Sequence, residues 1–153
     1  MKCLIAILVA GFFVSAGFAA DDQSKADMKK FEGTWEVVSI EMGGKKIAAG
    51  KGAPDKAVIK DGNATFFAAG KALRTFQDLK LKLDPKRKPK AVDLVRGGKE
   101  TLPCIYEVTA KTLKLAMPMV RKKRNPGEKL PRPKSFDSQD KPVLVLSAKR
   151  SKD

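Results

Sequence analysis

The side chains best suited to chemistry in this chain are cations, and many of them lie in one segment. Thirty-two Lys and Arg residues against 17 Asp and Glu residues give the 153-residue chain a formal net charge of +15. Residues 121–134 contain three prolines, one acidic residue and no aromatic residue. Such a segment is typical of a solvated loop that can attract an anionic polymer or a membrane surface. The candidate contacts for an anionic partner are Arg121, Lys122, Lys123, Arg124, Lys129, Arg132 and Lys134.

The basic segment also fits a simpler role, that of a charged loop that keeps the domain soluble. A second basic run at residues 86–90 would strengthen the same positive field. Nucleic acid is not expected as a partner, because no aromatic side chains alternate with the cations to stack on bases. The partner classes left open are therefore an anionic polymer, a membrane surface or none.

The sequence contains none of the residue sets that common enzyme mechanisms require. It has no histidine, which excludes Ser-His-Asp and Cys-His catalysis and histidine-ligated zinc. Asp137 and Asp140 lie three residues apart, but the glycine and the final glutamate of a calcium loop are missing. No glycine run has the spacing of a phosphate-binding loop. We predict no enzymatic activity, no cofactor and no metal site.

Two further residues allow several roles. Cys104 lies in the apolar, strand-like run Leu102 to Tyr106, which favours a small buried core residue. Asp93 could point into the fold as a ligand contact, face solvent, or bond to a neighbouring turn. The sequence does not decide between these positions for Asp93.

The first 20 residues differ in composition from the rest. Met1 and Lys2 provide a positive start, residues 3–18 are uncharged and mostly apolar, and small residues precede Asp21. This order is typical of a secretory signal, with cleavage after Ala19. The apolar run is about 16 residues long, whereas a membrane span needs roughly 20. An uncleaved membrane anchor is the alternative.

The expected domain organisation follows from this leader. We predict a signal peptide at residues 1–19 and a single domain at residues 20–153. The mature protein should be periplasmic or secreted, without a transmembrane segment, and monomeric. It would keep only Cys104, so it could form no internal disulfide.

Short runs of strand-like alternation, separated by turn residues, fill most of the mature chain. The clearest turn is Asp61-Gly62-Asn63, because glycine and asparagine tolerate positive φ angles. A helical lead-in is predicted only at residues 23–31. The predicted strands are residues 35–42, 57–60, 65–67, 79–83, 91–96, 104–109, 112–117 and 143–149.

Tight turns between alternating strands indicate antiparallel neighbours with one face buried. We therefore predict an all-β fold, an antiparallel up-and-down barrel of about eight strands with a short helical lead-in. Barrel closure removes exposed edge strands. A β-sandwich is the alternative.

Residues 31–38, with the sequence Phe-Glu-Gly-Thr-Trp-Glu-Val-Val, resemble the Gly-x-Trp opening of lipocalin-like domains. The chain is similar to a family of exported planctomycete lipocalin-like domains of unknown function, with further ordered similarity at residues 83–94, 105–108, 112–115, 132–136 and 149–150. The resemblance implies a calycin-like barrel in which Trp35 closes one end and Arg150 lies across its indole ring. It implies no catalytic residue and no ligand.

If Arg150 points inward, period-two alternation predicts a mostly bulky barrel lining with a shallow pocket at the open end. The resemblance favours a binding module for a small apolar ligand. The alternative is a filled barrel whose basic loops bind anionic cell-envelope polymers or a membrane surface. The predicted inward residues are Trp35, Leu79, Leu81, Leu83, Cys104, Tyr106, Val108, Leu113, Leu115, Met117, Leu144, Leu146 and Ala148.

Overall fold

The computed structural model describes residues 19–49, 52–119, 129–139 and 142–152. Residues 1–18, which make up most of the predicted signal peptide, lie outside the described residues. The same is true of four predicted contacts for an anionic partner, Arg121, Lys122, Lys123 and Arg124. No helix in the described ranges is long and apolar enough to span a membrane.

Eight strands form a closed antiparallel barrel, which confirms the predicted all-β, up-and-down fold with a short helix before the strands. Each of the eight pairs with the next along the chain, and the last pairs with the first to close the ring. Two short strands that were not predicted, Lys45–Ile47 and Lys71–Ala72, pair with the C-terminal ends of two barrel strands. The elements are α1 (Ala19–Phe31), β1 (Gly33–Met42), β2 (Lys45–Ile47), β3 (Lys56–Lys60), β4 (Asn63–Ala68), β5 (Lys71–Ala72), a 3₁₀ turn (Arg74–Phe76), β6 (Leu79–Asp84), β7 (Ala91–Arg96), β8 (Glu100–Val108), β9 (Thr112–Pro118) and β10 (Val143–Arg150).

Local sequence explains these strands well. In β6, Leu79 and Leu81 are buried while Lys80 and Lys82 are exposed, as a half-buried strand requires. The turn between β3 and β4 has positive φ angles at Asp61 (50°) and at Gly62 (72°), the pattern of a two-residue hairpin.

The two ends of the barrel differ. At the end where β1 begins and β10 finishes, called here the closed end, Phe31 at the end of α1 is fully buried and packs edge-on against Tyr106. The other end, where β1 finishes and β10 begins, is called here the mouth.

The barrel interior contains the main hydrophobic core. All thirteen residues predicted to point inward belong to this core or pack against it, so that prediction is confirmed.

A second, smaller core lies on the outside of the barrel. Phe136 covers an apolar patch on the outer face of β8, β9 and β10. Pro133 is buried, and the Arg132 side chain is only 23% exposed. The described part of the basic segment therefore packs on the barrel instead of forming a wholly solvated loop. The patch beneath Phe136 consists of Ile105, Ala116, Val143 and Val145.

Candidate functional site

A pocket of about 400 Å³ opens at the mouth of the barrel. Its volume lies within the range of about 300–1,000 Å³ that is usual for small-molecule sites. Strand ends and the 3₁₀ turn supply a mostly apolar lining, including Met42, Phe76, Leu79, Leu94, Leu102, Met117 and Leu144. This pocket, called here the mouth pocket, is suited to an apolar ligand.

Four side chains give the mouth pocket a polar rim. Arg96 forms an ion pair with Glu100, and its Nη1 lies 3.5 Å from the carbonyl oxygen of Thr75. The Arg96 and Glu100 side chains are 41% and 67% exposed, so their pairing contributes little to stability. Thr75 and Thr101 complete the rim. Arg96 can therefore exchange Glu100 for a polar or anionic group of a ligand at small cost.

The mouth pocket is shallow. Leu79, Leu94 and Met117 line it, whereas Leu81 and Leu115, the next inward residues along β6 and β9, are buried outside the lining. Successive inward residues on a strand are about 7 Å apart, so the pocket reaches only to the outermost layers. This depth agrees with the shallow pocket that the bulky lining predicts.

The closed end brings Trp35 and Arg150 together. The guanidinium carbon of Arg150 lies 4.4 Å from the centroid of the Trp35 ring, and Trp35 Nε1 donates to the Phe31 carbonyl at 2.7 Å. Arg150 also donates from Nη1 to the Glu32 carbonyl at 2.6 Å and from Nη2 to the Lys30 carbonyl at 2.7 Å. These carbonyls lie at the end of α1, where helices lack internal partners. That this arrangement stabilises the barrel stays a prediction, tested below.

The backbone and the packing at position 33 explain why the Gly-x-Trp opening begins with a glycine. Gly33 adopts a φ angle of 122°, which side-chain-bearing residues rarely adopt. A Cβ atom at this position would lie 2.4 Å from Nη1 of Arg150. Gly33 thus leaves room for the arginine to reach the end of α1.

The closed end also contains a buried carboxylate that the sequence analysis missed. Asp27 is 2% exposed, and its Oδ2 accepts from Lys90 Nζ at 2.7 Å and from the Tyr106 hydroxyl at 2.8 Å. Lys30 Nζ lies 3.3 Å from Oδ1. Asp27 precedes Phe31 by four residues, so both lie on one face of α1, and this spacing was the available signal. The contacts of Asp27 with Lys90 and Tyr106 therefore connect α1 to the barrel.

Burial raises the pKa of Asp27. The hydrogen bonds from Lys90 and Tyr106 and the positive charge of Lys90 outweigh this effect, so the pKa lies below the 3.8 of an unperturbed aspartate. Ionised Asp27 therefore stabilises the fold above pH 3.8, and this contribution is lost as the pH falls through the lowered pKa. We expect Asp27→Asn to lower the unfolding free energy at pH 7 by about 1–3 kcal/mol. Urea denaturation between pH 7 and pH 2 should show this difference shrinking with acid. A difference independent of pH would contradict the ionic role.

The remaining predicted cations lie on the outer wall. Arg132 donates from Nη2 to Asp93 Oδ1 at 2.6 Å and from Nη1 to the Cys104 carbonyl at 2.7 Å. Asp93 is therefore paired with Arg132 and is not a ligand contact inside the barrel. Arg132 and Lys134 line a second cavity of about 410 Å³, called here the side pocket, whereas exposed Lys129 does not line it.

Cysteine and acidic side chains are further groups outside these pockets that could take part in chemistry. Cys104 is fully buried, and burial raises the pKa of its thiol, so the reactive thiolate is disfavoured. Within the ranges that the structure describes, no three acidic or cysteine side chains are grouped as a metal site would require.

No family model matches this chain, and searches of curated proteins and of solved structures found no similar protein. The resemblance to exported lipocalin-like domains therefore stays a prediction.

Proposed function

We propose that this protein is an exported, non-enzymatic binding module that holds a small apolar or amphipathic molecule in the mouth of its barrel. The observation that carries the proposal is the mouth pocket, a cavity of about 400 Å³ with a mostly apolar lining and a charged rim. An apolar cavity with a small number of polar groups directed toward it is typical of a small-molecule site. The barrel alone would not support this proposal, because one fold serves many functions.

The geometry favours a compact ligand. An apolar body would contact Phe76, Leu102 and Met117, and a polar or anionic end would reach Arg96 at the rim. An extended fatty acid is too long for a pocket that reaches only the outermost layers of inward side chains. We therefore propose a ring-containing or short-chain amphipathic ligand.

The neutral, compact probe N-phenyl-1-naphthylamine tests this site by fluorescence titration. We expect saturable binding at one site per chain, and we expect Leu102→Trp to weaken it about tenfold or more by filling the pocket. Val38→Trp is the matched control, because Val38 is 62% exposed on β1 and lies outside the pocket. Absence of saturable binding, or equal loss in both variants, would contradict the proposal.

A fluorescent fatty-acid analogue should bind weakly or not at all. The result that would contradict a shallow site is stoichiometric binding at submicromolar concentration that is abolished by Ala148→Phe. Ala148 lies in the core below the mouth pocket, so such a result would indicate a deep cavity.

Export is the second part of the proposal and has its own test. The apolar run at residues 3–18 and the small residues that follow it support cleavage after Ala19. We expect N-terminal sequencing of the native protein to begin at Ala20, in material recovered outside the cytoplasm. Native protein that mostly begins at Met1 would overturn this part without affecting the binding site.

A further inference from the structure

The side pocket has the composition of an anion site. It lies on the outer wall of the barrel, between the turn that joins β6 to β7 and residues 132–134. Chain segments far apart in sequence thus bring cations to one cavity of about 410 Å³, and none of the described residues that line it is acidic. Its cationic lining residues are Arg87, Lys88, Arg132 and Lys134.

Only two of these four cations have a carboxylate partner among the residues that the structure describes. Arg132 pairs with Asp93 at 2.6 Å, and Arg87 pairs with Asp84 at 3.3 Å. Lys88 and Lys134 are exposed and form no ion pair within those residues. Within the described residues, Lys88 and Lys134 thus have no carboxylate partner, and a bound anion would supply one.

One of the four donors is held in place by the fold. Arg132 is 23% exposed, and its guanidinium bonds to Asp93, to the Cys104 carbonyl at 2.7 Å and to the Val92 carbonyl at 3.4 Å. A guanidinium fixed in this way loses little freedom when it binds an oxyanion, and its planar fork matches phosphate geometry. The lysines can add mobile point charges from the rim of the cavity.

The remaining lining is apolar. Pro89, Ile105 and Pro133 contribute to the same cavity, and Ile105 and Pro133 are buried. An apolar surface beside fixed and mobile cations suits an anionic group attached to an organic body better than a bare ion.

We propose that the side pocket binds a phosphate ester group. A phosphate monoester carries a charge of about −1.5 to −2 at neutral pH, which matches the charge of the two lysines that lack a carboxylate partner among the described residues. Arg132 supplies the fixed donor, and the apolar lining contacts the organic part. The site shares no lining residue with the mouth pocket, so it is a function beyond the one proposed there.

Calorimetric titration of the full-length mature chain with phenyl phosphate, at physiological ionic strength, tests the site. We expect saturable binding that Lys88→Gln with Lys134→Gln weakens about tenfold or more, because two charge-assisted contacts are lost. Lys45→Gln with Lys46→Gln is the matched control: it removes the same charge from exposed residues of β2, outside the cavity. The control should weaken binding less than about twofold, because added salt screens distant charges.

Two further probes identify the source of the phosphate. Inorganic phosphate that competes with phenyl phosphate would indicate that the anion alone is recognised. Cosedimentation with phosphatidylcholine vesicles only when they contain phosphatidic acid, whose headgroup is a phosphate monoester, would assign the group to a lipid if the Lys88→Gln and Lys134→Gln variant loses it.

Three results would overturn the proposal. One is no saturable binding of any of the three probes. Another is an equal loss in the pocket variant and in the β2 control. The third is retention on an immobilised polyanion without saturable phosphate binding, which would mean that the basic surface attracts polymers only through its general field.

Discussion

Replacing Trp35 with alanine is expected to lower the free energy of unfolding by about 3–5 kcal/mol, as truncation of a fully buried aromatic residue does. The indole fills the closed end, and its Nε1 satisfies the Phe31 carbonyl at 2.7 Å. The truncation therefore creates a cavity, leaves that carbonyl without its partner and removes the surface beneath Arg150. Urea denaturation followed by far-ultraviolet circular dichroism measures the loss, because the variant lacks the only tryptophan.

Val38→Ala is the matched control for Trp35→Ala. Val38 lies three residues along the same strand, where the register with β10 shifts, and it is 62% exposed. Its truncation should change the unfolding free energy by less than about 0.5 kcal/mol. A loss at Trp35 as small as that at Val38 would mean that the closed end does not depend on the indole.

Replacing Arg150 with alanine is expected to lower the free energy of unfolding by about 2–4 kcal/mol. Stacking on the indole accounts for about 0.5–2 kcal/mol. Loss of the charge-assisted hydrogen bonds to the Lys30, Glu32 and Ala110 carbonyls accounts for the remainder. Because these bonds connect α1 to the last strand, the variant should also detach the helix from the closed end. Urea denaturation measures the stability, and emission of Trp35 reports the local change.

Lys149→Ala is the control for Arg150→Ala. Lys149 is the preceding residue, its side chain is 63% exposed, and it pairs with Glu36 at 3.3 Å on the surface. Removing it should cost less than about 1 kcal/mol. If Arg150→Ala left both the unfolding transition and the tryptophan emission unchanged, the stabilising role of the pair would be wrong.

The parts of the fold that were predictable from sequence depend on local signals. The alternation in β6 identifies its buried face without any knowledge of its neighbours, and the Asp61-Gly62 turn specifies a tight connection. The interior was predictable for the same reason, since period-two alternation from Arg150 assigns Leu146 and Ala148 to the inside. The position of Arg150 over Trp35 was implied only by the family resemblance.

Several contacts that the sequence analysis missed join segments that are distant in sequence. Asp27 is 63 residues from Lys90 and 79 from Tyr106, and no local pattern links an acidic residue in a short helix to a strand partner. Arg132 lies in a segment whose composition indicates a solvated loop, and Phe136 follows two residues after that segment, yet both pack on the outer barrel wall. The contacts of Phe136 and Arg132 depend on where residues 129–139 lie against the barrel, and alternation cannot specify that position.

For the two pockets as well, local sequence predicted some features and only the fold showed the others. Bulky inward residues predicted a shallow mouth pocket, but the ion pair between Arg96 and Glu100 at its rim was not foreseen. The sequence identified two basic segments and their common field. Only the fold shows that Lys88 and Lys134 reach one cavity with Arg132 fixed between carbonyls and a carboxylate.

The central claim, that the mouth pocket holds a small molecule, is tested most directly by native mass spectrometry of protein isolated gently from the cells that make it. We expect a population heavier than the mature chain by one compact molecule, which is lost when Leu102→Trp fills the pocket but kept in Val38→Trp. Chain mass alone in all three proteins, together with no saturable binding of N-phenyl-1-naphthylamine, would contradict the claim.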